Sequence, residues 1–308
     1  MCGICGFWGA YKYSKNLDLG SVATNMSSKL EHRGPDGEGV WVDLNNNLAL
    51  AHRRLSIQDL SQAGAQPMVS SNQQFVISFN GEIYNFIEIR NELTKKGSKF
   101  QGHSDTEVLL EAIQAWGLEK ALASCNGMFA FALWDRRNNS LTLARDRVGK
   151  KPLYYGNHNG VFLFGSELKS MEAHPAFEKQ LDHNSLNMFI RYSWISSPHC
   201  IYKKTKKLIP GSYITFYAPS DFKNVSPTIY WTARSVINNS LSDGFPGSIE
   251  DAETELENYL IDAVEKRMIA DVEIGALLSG GIDSSIVTAL MQMISVTPIK
   301  TYSIGYYE

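Results

Sequence analysis

The sequence predicts an α+β fold in residues 1 to about 217, a sandwich of two mainly antiparallel sheets between helix layers, followed near residue 251 by the beginning of a parallel α/β unit. Three observations predict this. Short β-favouring runs lie at both ends of the first region with helical patterns between them, which suits sheets packed with helices rather than one wound parallel sheet. The turn from Asp135 to Asn139, between apolar runs Met128 to Trp134 and Leu141 to Ala144, is a hairpin signal. Near the end, a strand from Ile274 to Leu278, a Gly-rich turn, a helix from about Ser284 to Ile294 and a strand from Lys300 to Ile304 spell a βαβ unit, hence a parallel pair.

The elements follow in order. Ile4 to Trp8 reads as a buried strand, and Leu19 to Leu30 as a helix ended by the loop His32-Arg33-Gly34-Pro35-Asp36-Gly37. Leu48 to Ala51 and Phe75 to Phe79 read as strands, the second rich in β-favouring residues. Ile87 to Lys96 and Thr106 to Trp116 read as helices. In the second, Val108, Leu109, Ala112, Ile113 and Trp116 share one face, and Ser104 or Asp105 is a natural N-cap. The Met128 to Trp134 strand is apolar enough to be buried on both faces, and short strands follow at Leu153 to Tyr155 and Val161 to Phe164. Residues 218–250, with many Pro, Ser, Asn, Asp and Gly, read as a linker. From Asp251 to Met268 an apolar stripe of Ala252, Leu256, Tyr259, Leu260, Ala263, Val264 and Met268 predicts a helix, its N-terminal dipole complemented by Glu250, Asp251 and Glu253. The domains expected are 1–217, a linker 218–250, and 251–308.

With 308 residues, 44% hydrophobic and 20% charged, the chain has the composition of a soluble globular protein of about two domains. A net charge of −3 gives no reason to expect a nucleic acid or an anionic membrane as partner. No run of eighteen apolar residues and no signal-peptide pattern occurs. Four cysteines in a chain this long make no disulfide framework, so the expectation is a cytoplasmic protein with reduced thiols.

Cys2 directly follows the initiator Met. With Met1 removed, thiol and α-amine share one residue. The amine, with a pKa of about 7.7–8.0, can take the thiol proton and return it, so one residue supplies nucleophile and base. Two other readings stand beside this one: Cys2 as an incidental thiol, and Cys2 with Cys5 as half of a metal or redox pair. Cys125 and Cys200 lie far off and supply no second pair for zinc, so Cys5 is read as packing behind the strand.

Five strings stand with Cys2: Met1-Cys2-Gly3-Ile4, His32-Arg33-Gly34-Pro35-Asp36, Ala51-His52-Arg53-Arg54-Leu55-Ser56-Ile57, Phe79-Asn80-Gly81-Glu82-Ile83-Tyr84-Asn85 and Ser104-Asp105-Thr106-Glu107. Together they resemble class II glutamine amidotransferase domains, which are N-terminal-nucleophile glutaminases. Gly127 to Ala132 and Arg145 to Tyr155 narrow the resemblance to the asparagine synthetase family. It spans essentially the whole chain.

The resemblance implies roles. Cys2 attacks glutamine, and Asn80 and the Gly81 N–H hold the oxyanion, which needs two preorganised donors. Arg54 takes the substrate α-carboxylate and Asp105 its α-ammonium, with Leu55, Ile57 and Glu82 as further glutamine contacts. Arg53 is read as a surface charge, and the Arg33 to Asp36 loop is given no chemical step. Plainer readings remain beside these: a hairpin turn at Asn80-Gly81 and a helix N-cap at Asp105.

Leu278-Ser279-Gly280-Gly281-Ile282-Asp283-Ser284-Ser285 follows a strand and opens a helix, where backbone N–H groups, the helix N-terminus and hydroxyls make an anion site. No Lys stands at the P-loop position. The string resembles the pyrophosphate loop of the Rossmann-like ATP-pyrophosphatases, which cleave between α- and β-phosphates. That resemblance implies ATP binding by Leu278, Ser279, Gly280, Gly281, Asp283, Ser284, Ser285 and Ile304, with Asp283 at Mg²⁺; a generic strand–helix turn is the plainer alternative.

One βαβ unit from residue 251 cannot bury a core on both faces of a parallel sheet, so the expectation is a truncated synthetase half beside a complete glutaminase half. The function expected is glutamine-dependent asparagine synthesis from aspartate and ATP, giving asparagine, glutamate, AMP and pyrophosphate. A homodimer is compatible with it. The rivals are a related amidotransferase with another acceptor, in surface-polysaccharide or natural-product chemistry, and a remnant that keeps only glutaminase or binding activity.

Overall fold

The computed structural model describes residues 1–10, 18–241 and 244–305. The chain divides into two compact units, Met1–Thr232 and Ala233–Glu308. The first runs β1 (Gly3–Trp8), α1 (Leu19–Ser28), β2 (Gly37–Asp43), β3 (Leu48–Arg54), β4 (Met68–Val69), β5 (Phe75–Ile83), α2 (Phe86–Lys95), α3 (Asp105–Trp116), α4 (Leu118–Ser124), β6 (Gly127–Asp135), β7 (Ser140–Arg145), β8 (Tyr154–His158), β9 (Val161–Gly165), α5 (Leu168–Glu172), α6 (His183–Tyr192), β10 (Thr205–Lys207), β11 (Ser212–Phe216) and β12 (Thr228–Ile229).

Its strands form two six-stranded antiparallel sheets, β10-β8-β9-β1-β3-β2 and β12-β11-β7-β6-β5-β4. Strand alternation sorts the side chains into three cores. On β1, Ile4 and Trp8 face the space between the sheets, and Cys5 and Phe7 face α1 and α5. On β6, Ala130, Ala132 and Trp134 point between the sheets, and Phe129, Phe131 and Leu133 point to the α2–α4 layer. The result is the expected sandwich, with Cys5 buried behind its strand.

Local chemistry ends the elements. Ser104 caps α3 by accepting the Glu107 N–H at 3.2 Å, so the cap is Ser104 and the Asp105 side chain is released for another partner. Asp135 holds the β6–β7 turn by accepting the N–H groups of Arg137 and Asn138 at 2.9 and 3.2 Å.

The structure differs from the sequence reading at four places. Asn80 and Gly81 lie inside β5, paired with Ala130 and Phe129, and make no hairpin turn. Arg53 is largely buried and pairs with Glu38 at 2.8 Å across β2–β3, because its strand is covered where the sequence suggested an open surface. Residues 218–232 pack on the first unit: β12 pairs with β11, and the Tyr230 hydroxyl donates to the Arg145 carbonyl at 2.9 Å. Their turn-rich composition reflects tight connections rather than a free tether.

The fourth difference is in the second unit, which holds α7 (Ala233–Ser240), α8 (Ile249–Arg267), β13 (Gly275–Leu277), α9 (Ile282–Ile294) and β14 (Lys300–Tyr302), with β13 and β14 parallel. Its small core gathers Val264, Ala276, Leu290 and Met291. The expected stripe on α8 is buried only toward its C-terminal half, while Leu256 and Tyr259 are 58% and 65% exposed. Among the described residues, no helix is long and apolar enough to cross a membrane.

Gly6 sits where β1 crosses the interior, and a Cβ there would collide with the Ala49 carbonyl and the Phe164 ring. Gly6→Ala is expected to lower the unfolding free energy by about 2 kcal/mol through overpacking, read as a lowered midpoint in urea. An unchanged midpoint would mean that β3 and β9, the neighbours of β1 in its sheet, yield easily at this point.

Candidate functional site

The site begins with an interrupted ladder. β4 pairs with β5 only at Val76 and Ile77, so beyond them the edge of β5 away from β6 has no strand partner. Strand alternation turns the N–H groups of Phe79, Gly81 and Ile83 to that edge. Phe79 N–H donates to Gln66 Oε1 at 2.7 Å, and Ile83 N–H donates to Asp105 Oδ2 at 2.8 Å. Gly81 N–H, between them, faces a cavity of about 270 Å³. Gly81 has no room for a Cβ, which would strike Met128 and Phe129 of β6.

Asn80 lines the same cavity. It is fully buried, and neither Nδ2 nor Oδ1 has a hydrogen-bond partner. An unmatched buried amide costs on the order of 1–3 kcal/mol, so its retention calls for a ligand.

Cys2 precedes β1, and its Sγ meets the backbone of Leu55 just after β3. Leu55 N–H donates to Sγ at 3.4 Å, and the thiol reaches Leu55 O at 3.6 Å. Burial pushes the thiol pKa up, against the Leu55 backbone bond. Arg33 Nε donates to the Cys2 carbonyl at 2.9 Å, and its Nη1 reaches Glu167 Oε1 at 2.8 Å. The loop given no chemical step therefore fixes the start of the chain.

Arg54 ends β3, and its guanidinium is caught by the carbonyls of Gln58, Asp59 and Ser61. Gly64 closes against it, in a space that no side chain could share. Asp105 opens α3 and is 6% exposed. Its carboxyl is pushed up to about 6, chiefly by burial; the Ile83 N–H opposes the shift and the neighbouring Glu82 adds to it.

Cys2, Arg54, Leu55, Ile57, Asn80, Gly81, Glu82 and Asp105 thus all line one cavity. Sequence reasoning missed Gln66 and Lys151, which line it too. Gln66 links β5 to α3, since its Nε2 donates to Thr106 Oγ1 at 3.3 Å. The only signal for it was its place in the run Gly64-Ala65-Gln66-Pro67, just before β4. For Lys151 the signal was its place in the run Arg145 to Tyr155.

The Gly-rich turn joins β13 to α9. Gly280 has φ +82°, which glycine adopts freely. Ser279 Oγ and Ser284 Oγ lie 3.1 Å apart, and the Ser284 and Ser285 hydroxyls donate to Gly281 O at 3.1 and 2.8 Å. Asp283 is exposed in the first turn of α9. Leu278 is half-buried, its N–H donating to Tyr302 O at 2.8 Å, and Ile304 is 77% exposed.

A thiol, a buried amide without a hydrogen-bond partner, a guanidinium and a carboxyl group thus line one cavity of a two-layer antiparallel scaffold. The chain belongs to the glutamine amidotransferase domain family, which matches residues 1–231, and residues 255–308 match asparagine synthase. Among curated relatives, it is 35% identical to asparagine synthetase [glutamine-hydrolyzing] 3 of Bacillus subtilis (strain 168), over 100% of this chain and 48% of that protein. It is 33% identical to asparagine synthetase [glutamine-hydrolyzing] 1 of the same organism, over 100% of this chain and 46% of that protein. The chain therefore spans about half the length of these relatives. In fold it is similar to the glutamine phosphoribosylpyrophosphate amidotransferase of B. subtilis complexed with ADP and GMP (TM-score 0.54, 17% identity, 98% of this chain and 65% of that one). It is similar also to the allosteric regulatory enzyme of purine biosynthesis (TM-score 0.54, 19% identity, 74% and 49%).

Asp105 has a folded-state pKa above that of an unfolded Asp, about 3.9. Its contribution to stability is full below about pH 4 and is lost as pH rises through about 6. Asp105→Asn removes that loss. In urea unfolding the variant is expected to match the parent near pH 4 and to exceed it by on the order of 2–3 kcal/mol at pH 7.5. A difference that does not change with pH would show that Asp105 ionises without cost.

Proposed function

We propose that the first unit hydrolyses glutamine to glutamate and ammonia with Cys2 as nucleophile, as the glutaminase half of a glutamine-dependent asparagine synthetase. The observation that carries this reading is the buried Asn80 amide, with neither atom bonded, in the cavity that Cys2 lines. It is the donor that a developing oxyanion needs.

Removal of Met1 frees the Cys2 α-amine. Arg54 takes the α-carboxylate of glutamine and Asp105 its α-ammonium, which brings the side-chain amide to Sγ. Sγ adds to the amide carbon while its proton passes to the α-amine. The oxyanion rests on Asn80 Nδ2 and Gly81 N–H. The carbon–nitrogen bond then breaks, the α-ammonium gives its proton to the leaving nitrogen, and ammonia departs from a γ-glutamyl thioester. Water, losing a proton to the amine, adds to the thioester; the carbon–sulfur bond breaks, the thiolate regains the proton and glutamate leaves. The raised thiol pKa supports the need for such a base.

In the whole protein, ammonia amidates an aspartyl-adenylate made from aspartate and ATP, giving asparagine, AMP and pyrophosphate. The β13–α9 turn fits the pyrophosphate of ATP, because a helix N-terminus and exposed serine hydroxyls suit an anion. The exposed Asp283 carboxylate fits Mg²⁺, which takes one or two carboxylates plus substrate phosphate oxygens and neutralises phosphate charge when bound. Free thiols at all four cysteines suit a cytoplasmic protein. The chain is also 34% identical to a relative named amidase chry2, of Gibberella zeae (strain ATCC MYA-4620 / CBS 123657 / FGSC 9075 / NRRL 31084 / PH-1), over 94% of this chain and 43% of that protein, so an amide chemistry other than asparagine synthesis stays as the second reading.

The purified chain, with Met1 removal confirmed by intact mass, is expected to release glutamate from glutamine, and Cys2→Ala to release none. Asn80→Ala is expected to lower kcat by about 10²–10³-fold with a smaller change in KM. A folded, Met1-free chain without turnover, or an Asn80→Ala variant of unchanged kcat, sinks this assignment.

A further inference from the structure

A second charged group is built into the Cys2 cavity by the turn after β7. Asp146 is fully buried and accepts the N–H groups of Phe129, Val148, Lys150 and Lys151 at 3.1, 3.2, 2.9 and 3.0 Å. Arg145 grips the turn from the other side, Nε donating to Lys151 O at 2.7 Å and Nη2 to Gly149 O at 2.8 Å. Lys151 is therefore pinned at both its amide and its carbonyl. It is 3% exposed and lines the cavity, and burial lowers the pKa of its ammonium, opposed by the Glu82 carboxylate and the Cys2 thiol. Burying a cation is costly, so this turn holds it at the cavity against part of its own solvation.

The groups around the start of the chain show what the cation acts on. Burial is the main cause that lowers the Met1 amine pKa; the Cys2 thiol opposes it, Lys151 and Arg33 add to it, and Glu82 opposes it. Lys151 in turn feels Glu82, the Cys2 thiol, Arg33 and Asp146. Asp105 and Arg54 act on the thiol. The Cys2 nitrogen is bonded to the Met1 carbonyl carbon and to Cα, two bonds from the Cβ that carries the thiol, so it lies between the Met1 amine and the thiol, both of which the Lys151 ammonium acts on.

We propose that Lys151 is a positioning residue of the glutaminase, whose ammonium, assisted by Arg33, keeps the Cys2 α-amine unprotonated and ready to accept the thiol proton. The inference rests on the glutaminase reading. Glu82 limits the effect, since its carboxylate opposes both cations.

The test compares Lys151→Met and Lys151→Arg with the parent, each Met1-free by intact mass. The first readout is the pH dependence of kcat, which reports the enzyme–glutamine complex, where the Asp105 charge is held by the substrate ammonium. The second is the pH dependence of Cys2 alkylation by chloroacetamide, which needs no turnover. In Lys151→Met the acidic limb of both profiles is expected to move up by about one pH unit. Activity near pH 6.5 then falls up to about tenfold and recovers toward the parent's plateau at higher pH. Lys151→Arg is expected to keep the parent's limb. Unmoved limbs in Lys151→Met, with only a lower plateau or a higher KM, overturn the proposal and leave Lys151 a merely structural group. If Lys151→Met does not fold, Lys151→Gln takes its place in the same comparison. A parent chain that is alkylated at Cys2 yet releases no glutamate sinks the glutaminase reading, while the alkylation profiles still decide whether Lys151 tunes the amine.

Discussion

The first unit depends on a strand that loses its neighbour halfway along. β5 is paired along its whole length to β6, but β4 accompanies it only at Val76 and Ile77. A buried strand edge must satisfy its N–H groups, and here side chains replace the missing strand. Gln66 takes Phe79 N–H and Asp105 takes Ile83 N–H, which leaves Gly81 N–H and the Asn80 amide facing the cavity. A longer β4 would have satisfied the edge and removed the site. The same two side chains tie β5 to the start of α3, through Asp105 itself and through Gln66 to Thr106, so Asn80, Gly81 and Asp105 keep one register.

A parallel constraint holds the nucleophile. Residues before a first strand fray unless they are tied down. Arg33 ties this one, with one nitrogen on the Cys2 carbonyl and another on Glu167, which also meets Lys169 and His32. Glu167 directly precedes α5, so the layer outside the first sheet is coupled to the position of Cys2. The cations here also set charge. A Cys2 thiol whose pKa is raised by burial is inert without a base, and the neighbouring Arg33 and Lys151 favour the unprotonated form of an amine at that spot.

Much of this was legible in the sequence. The sandwich followed from short β-favouring runs at both ends of the first region with helical patterns between them, because such patterns are local properties of the sequence; β6, apolar at every position from Met128 to Trp134, could only be a strand covered on both faces. The eight residues that line the Cys2 cavity came from motif strings, each carrying a chemically specific set of side chains. What was not legible depended on distant chain segments. That Asn80-Gly81 is mid-strand requires β6 as partner, and short-range propensity alone favours a turn. Whether Arg53 is covered depends on Glu38 across the sheet. Lys151 reads as one more surface charge until Asp146 and Arg145 are seen to fold its turn inward. The α8 stripe marks the opposite failure, since periodicity reports which face can be buried and says nothing of whether anything in the unit covers it.

The two candidate sites also differ in how ready they are. In the first, the donors for a developing charge are already in place and unpartnered, so little rearrangement accompanies reaction. At the β13–α9 turn the Ser284 and Ser285 hydroxyls spend their protons on Gly281 O. An anion arriving there must first draw those hydroxyls away from a carbonyl, whereas backbone N–H groups at the helix N-terminus need no such change. The turn is exposed, so water competes for every donor and each hydrogen bond is worth less than its counterpart in the buried cavity. A burial difference of this kind lets the first site hold a small neutral amide by a few fixed donors. On the reading proposed for it, the second would gain strength only when charge is brought to it, by phosphates and by a cation at Asp283.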